Sequence, residues 1–198
     1  MHLSRNLLLA SAVSLLLSGA TFAQSSMAPD TSSTNGGVSA ADRQFMDKAA
    51  QGGMAEVELG QLAEQNGQSA DVKSFGKRMV DDHTKANDQL KQLASQKDVT
   101  LPTNLDAKDQ ATKDRLSKLQ GAAFDKAYMH DMVTDHRKDV AEFKHESMAA
   151  KDPAVKNFAS TTLPTLESHL QEAEKIVPAM SGSAMSKSGA AGTMAQQH

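Results

Sequence analysis

Between residues 39 and 178, apolar and small side chains recur in alternating steps of three and four. One run carries Phe45, Ala49, Gly52, Glu56, Leu59 and Ala63, and a second carries Val72, Gly76, Met79, His83, Ala86, Leu90 and Leu93. A third carries Met129, Val133, His136, Val140 and Phe143, and a fourth Val155, Ala159, Thr162, Leu166, His169, Ala173 and Ile176. Steps of three and four keep each set on one face of a helix, the seam that turns toward a bundle core. The small residues among them allow neighbouring helices to approach closely.

The ends of these segments are marked by cap and breaker residues. The first helix is expected from Ser39, with Asp42 in a capping-box position, to Asn66-Gly67. The second opens at Ser69, with Asp71 in its first turn, and runs to about Gln96. After Leu101-Pro102-Thr103-Asn104, a short helical piece over about 106–119 leads through Gly121 into the third long helix, which ends near Ala150. The fourth opens at Asp152-Pro153, an N-cap followed by proline at the first helical position, and is expected to stop before Pro178, with a kink or local break at Pro164. Loops of two to three residues force the first and second helices, and the third and fourth, into antiparallel pairs. The expected fold is all-α: an antiparallel four-helix bundle with an extra short helix between its second and third members. A short internal repeat agrees, Ala70-Asp71-Val72-Lys73-Ser74-Phe75-Gly76 resembling Pro153-Ala154-Val155-Lys156-Asn157-Phe158-Ala159.

Each seam is broken by one strongly polar residue: Glu56, His83, His136 and His169. Burying such groups without partners costs several kcal/mol each. Counted along the helices at ~1.5 Å per residue, their heights roughly agree, so a common layer is expected. Three imidazoles and a carboxylate converging in a bundle core can hold one transition metal ion, Fe, Zn, Mn or Cu. Asp82, Asp135 and Glu167 stand close by in sequence as groups to orient the rings. The alternative is a metal-free layer of hydrogen-bonded polar groups that sets helix register. Met54, Met79, Met129 and Met132 lie near this layer; thioethers beside imidazoles favour Cu(I), whereas flexible core filling is their commoner role. His130, His145 and His198 fall off the seams and are expected in solvent.

The ends of the chain add location. His2 and Arg5, the apolar stretch Leu7 to Leu17 and the small residues before Gln24 form a signal peptide over residues 1–23, with the cut after Ala23. Export to the periplasm or beyond is therefore expected, with outer-membrane association open. The apolar stretch is shorter than a span, which needs ~20 residues, and no other of that length follows, so the mature chain is expected to have no transmembrane segment. Residues 24–38 and 179–198, rich in Ser, Thr, Gly, Ala and Met, read as disordered spacer and tail. The chain has no cysteine, which excludes thiolate metal sites and disulfides. With residues 1–23 removed, 20 basic side chains face 24 acidic ones, and this mild negative balance argues against nucleic acid as a partner.

The segment from Asp42 to Val177 resembles the DUF4142 family of exported bacterial proteins, placed in the ferritin-like superfamily. The resemblance rests on Gly53-Met54-Ala55-Glu56-Val57-Glu58-Leu59-Gly60-Gln61-Leu62-Ala63 and on Val72-Lys73-Ser74-Phe75-Gly76-Lys77-Arg78-Met79-Val80-Asp81-Asp82-His83. Phe124-Asp125-Lys126-Ala127-Tyr128 and Leu163-Pro164-Thr165-Leu166-Glu167-Ser168-His169-Leu170 complete it. It implies a ferritin-like bundle and leaves the biochemical role open. The carboxylate-bridged di-iron pattern of such bundles wants a Glu three residues before a His. Here Val80, Val133 and Leu166 occupy those places, so no ferroxidase centre is expected. Two roles remain: a non-catalytic, envelope- or stress-associated bundle, or a metal-binding bundle with a single His/Glu site. A third, a helical adaptor for an envelope partner or a second copy of the chain, would need an exposed apolar face.

Overall fold

The computed structural model describes residues 37–189, with side chains placed through 178. The expected signal peptide, the spacer up to residue 36 and the tail from residue 190 lie outside the described residues. Five helices make up the fold: α1 (Ala40–Asn66), α2 (Ala70–Gln96), α3 (Ala107–Leu116), α4 (Gly121–Ala149) and α5 (Pro153–Gly189). The expected all-α, antiparallel four-helix bundle is observed, with α3 as the short insert. α1 packs mainly on α2 and α4 on α5; the two hairpins meet through α2 with α5 and α1 with α4, while α3 lies against α1 and α4.

The helix starts follow local chemistry. Ser39 Oγ accepts from the Asp42 amide at 3.1 Å, Ser69 Oγ from the Asp71 amide at 3.2 Å, and Asp106 Oδ1 from the Asp109 amide at 2.7 Å. Asp152 Oδ1 accepts from the amides of Ala154 and Val155, with Pro153 in the first turn where no amide is needed. The chain turns into α4 at Gly121, whose φ of 61° suits a residue without a side chain.

Two buried aspartates lock the hairpins together. Asp42, in the first turn of α1, accepts from the amides of Lys151 and Asp152 in the α4–α5 loop at 3.1 and 2.8 Å. Asp125, early in α4, accepts from the amides of Gln68 and Ser69 in the α1–α2 loop, both at 2.9 Å. Each hairpin thus anchors the loop of the other. The two aspartates are separated by the same interval as Ala70 and Pro153, so the internal repeat extends through the first helix of each pair.

α1 and α2 cross tightly where Gly60 meets Gly76. A methyl group on Gly76 would lie 2.6 Å from Ala63 Cβ and 2.8 Å from the Gly60 carbonyl oxygen, so the crossing depends on both glycines. Gly52, placed on the α1 seam by its spacing, instead has open space around it and lines a cavity. Val38, assigned to the spacer by composition, is buried in the core.

Of the two forms expected at Pro164, a kink or a local break, the break is absent: α5 is continuous there. The expected stop before Pro178 is corrected, since the helix runs through Pro178 to Gly189. An internal proline removes one amide and bends a helix without obliging it to end. Ala159 and Leu166 are buried on either side of Pro164 and hold that stretch helical. Beyond Pro178 the Ala, Met, Ser and Lys residues are compatible with helix.

The apolar core is divided in two. One cluster collects Phe45, Met46 and Ala50 of α1, Leu90 to Ala94 of α2, Phe143 and Ala150 of α4, and Val155 to Leu166 of α5. The other collects Leu59 and Ala63, Val72 to Met79, Phe124 to Met132, and Ala173 with Ile176. On every long helix the polar seam residue falls between the two clusters. The common layer expected from helix heights is therefore present, and it separates the two halves of the core.

Candidate metal centre

His83, His136 and His169 reach this layer from α2, α4 and α5, each buried, with His136 and His169 fully so. Their ring centroids are 5.4–5.9 Å apart, and each ring brings a nitrogen within 4.8 Å of nitrogens on the other two. The Phe75 ring packs edge-on against both His136 and His169. Two of the rings are oriented by a bond on their outer side. His136 Nδ1 donates to the Met132 carbonyl oxygen at 3.0 Å, and His169 Nε2 donates to Asp82 Oδ2 at 2.8 Å. His83 Nε2, His136 Nε2 and His169 Nδ1 are left buried with no hydrogen-bond partner.

The Asp82 carboxylate is itself held. Its Oδ2 also accepts from Arg78 Nε at 3.3 Å, and the same guanidinium bonds Ser168 Oγ at 3.0 Å and pairs with Glu172. Asp82 thus orients His169 on α5 and not its sequence neighbour His83. The other two expected orienting groups do not act so. Asp135 pairs with Lys108 and Lys138, and Glu167 is exposed.

Burial decides the charge of the rings. It pushes His83 well below the ordinary imidazole range, helped by the proximity of His136 and His169. His136 falls to about 4 through burial and the His169 ring, despite its bond to the Met132 carbonyl. His169 is lowered by burial, which outweighs its bond to Asp82. All three are neutral at pH 7, the form that ligates metal.

Glu56 enters the layer from α1 but stands to one side of the ring triad. Its Oε1 lies 3.8 Å from His136 Nδ1, the nitrogen already engaged with Met132. It converges instead with Asp135 and Asp139 of α4, a carboxylate oxygen of each lying within 4.8 Å of the other two. Glu56 is 1% exposed and neither oxygen has a hydrogen-bond partner. Burial, and then the negative field of Asp135 and Asp139, raises its pKa well above the carboxylate range. Asp139, half-buried, is pushed up to about 7 by desolvation and then by Asp135. Spacing along the seam did not single out Asp139. The signal available was its position three residues after His136, hence on a neighbouring line of the same helix face.

A cavity of about 250 Å³ opens beside the layer, lined among others by His83, Thr162, Gly52, Asp135 and Asp139. The off-seam His130 and His145 are exposed, as expected. Met79, Met129 and Met132 pack in the second apolar cluster, while Met54 is half-buried on α1 beside a groove.

These features define a class: all-helical bundles whose core is interrupted by a layer of converging imidazoles and carboxylates. Residues 27–176 match the family model described as "Domain of unknown function (DUF4142)", and the chain belongs to that family. No curated protein matches it. Among solved structures it is similar to a DUF305 fragment from Deinococcus radiodurans, with 15% identity, a TM-score of 0.64, and coverage of 72% of this chain and 98% of that one. It is also similar to a DUF305 protein from Streptomyces coelicolor, described as a proposed secreted protein. There the identity is 13% and the TM-score 0.61, with coverage of 71% of this chain and 94% of that one. At these identities the likeness is one of fold. No helix among the described residues is long and apolar enough to cross a membrane.

Proposed function

We propose that this chain is an exported helical bundle that binds one first-row transition metal ion through His83, His136 and His169, with Glu56 standing to one side of the three rings. The observation that carries this proposal is the set of three ring nitrogens, buried, neutral and without partners, on three different helices. Each orphaned nitrogen costs about 1–3 kcal/mol of stability, and a shared cation answers all three at once. Around a tetrahedral ion, with bonds of about 2.0–2.1 Å, the nitrogens stand about 3.3 Å apart. Modest side-chain movement brings them to a common centre. Three neutral nitrogens favour Zn(II) or Cu(II) over Mn(II) and Fe(II). The Asp82–His169 bond is the carboxylate–histidine arrangement that fixes ring orientation and raises ligand basicity.

Elemental analysis of the purified protein, beside a His83→Ala/His169→Ala variant, tests the proposal. About one Zn or Cu per chain in the parent and none in the variant is expected. A metal-free parent whose melting is unmoved by added Zn(II) or Cu(II) overturns it. The edge-to-face and tilted contacts among the three rings support a second reading, a metal-free polar layer, and the same experiment separates the two. An adaptor role finds less support: among the described residues the exposed large apolar side chain is Met148, which makes no extended apolar face by itself. Export is tested by sequencing the N-terminus of the mature protein, expected at Gln24.

A further inference from the structure

Glu56, Asp135 and Asp139 bring three carboxylate oxygens within 4.8 Å of one another. Clustered acids on a surface are ordinarily held apart by water, and their proximity alone points to no ligand. Glu56 differs. It is 1% exposed, its two oxygens have no hydrogen-bond donor, and one of them is turned toward the aspartates. Among the described residues no ammonium or guanidinium stands within ion-pairing distance of Glu56 or Asp139. Lys108 and Lys138 pair with Asp135, at 3.4 and 3.5 Å, and act on Asp139 only at longer range; both side chains are 64% exposed. Such loose, solvated contacts yield readily to a stronger cation. Asp135 and Asp139 also line the cavity of about 250 Å³, which gives an ion and its waters a way to reach them.

We propose that Glu56, Asp135 and Asp139 form a second cation site that takes a hard divalent ion of the Mn(II) or Mg(II) type beside the histidine site. Oxygen-only donors select hard ions, whereas the imidazole triad selects borderline ones. Around an octahedral ion with bonds of about 2.1 Å, neighbouring oxygens lie about 3 Å apart. The carboxylates therefore close in by about an ångström or two, and water fills the remaining positions. α4, which supplies Asp135 and Asp139, also carries His136 into the layer, so the bundle would hold two ions of different character side by side. The oxygen site goes beyond the histidine proposal: it uses none of the three imidazoles and stands or falls without them.

The test is Mn(II) binding to the full-length, metal-stripped protein, read as loss of the free-ion electron paramagnetic resonance signal. The parent and the His83→Ala/His169→Ala variant should each bind one Mn(II) with similar affinity. Asp139→Asn and Asp135→Asn should each weaken binding by at least about tenfold. Asp135→Asn alters a partly exposed residue and so preserves the fold if Asp139→Asn does not. No binding by the parent at millimolar Mn(II), unchanged binding in both Asn variants, or loss of binding in the double-His variant would each overturn the proposal. Zn(II) uptake measured on the same samples reports the histidine site separately.

Discussion

Asp82 Oδ2 on α2 accepts a hydrogen bond from His169 Nε2 on α5 at 2.8 Å, and this contact turns the other nitrogen of the ring toward the histidine triad. Replacing Asp82 with Ala should leave the helices formed and lower metal affinity about 10–100-fold. Competition against a chromophoric chelator measures this. Unchanged affinity would mean that packing against Phe75 alone fixes the ring.

Asp42 and Asp125 each accept two loop amides from the opposite hairpin. Removing either carboxylate strands two part-buried amides, so Asp42→Ala and Asp125→Ala should each destabilise the protein by about 2–4 kcal/mol. Urea denaturation checks the magnitude, and the repeat predicts similar losses at the two sites.

The Gly60–Gly76 crossing leaves no room for a side chain. Gly76→Ala should cost about 1–3 kcal/mol or more, because the new methyl meets the Gly60 carbonyl and Ala63 Cβ rather than a flexible side-chain end. Gly52→Ala, where nothing lies within 4 Å, should be neutral or slightly stabilising. Paired thermal melts of the two variants distinguish them.

The metal-free protein should respond to pH in two opposed ways. His136 is depressed from 6.5 to about 4, so between those values the unfolded state binds the extra proton. Stability is lost as the pH falls through this window, by up to about 3 kcal/mol. His136→Gln should remove most of that acid dependence. Asp139 is raised from 3.8 to about 7, so its contribution is fully present below pH 3.8 and lost as the pH rises through 7. Asp139→Asn should raise Tm by about 2–4 °C at pH 8 and leave it unchanged near pH 3.5. Melting curves across pH 3.5–8 check both.

Most of the bundle could be read along the chain because its signals are local. Ser39, Ser69 and Asp152 cap helices within their own first turns, and the three-four spacing states which face is buried. The polar layer was legible for the same reason, since Glu56, His83, His136 and His169 interrupt otherwise apolar seams. What could not be read was partnership between helices. Asp82 is adjacent to His83 in sequence, yet successive helix residues point about 100° apart, and its partner sits on α5. Glu56 shares the seam spacing of the histidines, but helix rotation turns it toward Asp135 and Asp139. Asp139 lies beside the seam and not on it, so seam spacing does not mark it. The repeat could have exposed it, since Glu56 and Asp139 stand at the same interval as Asp42 and Asp125.

Metal content of the purified full-length protein is the most direct measurement, taken beside the His83→Ala/His169→Ala variant grown and handled in the same way. One Zn(II) or Cu(II) per chain in the parent, absent from the variant and restored to the stripped parent on titration with a rise in Tm, is the predicted result. A parent that carries no metal and whose Tm is unmoved by either ion would contradict it and leave the three imidazoles as a polar layer without a ligand.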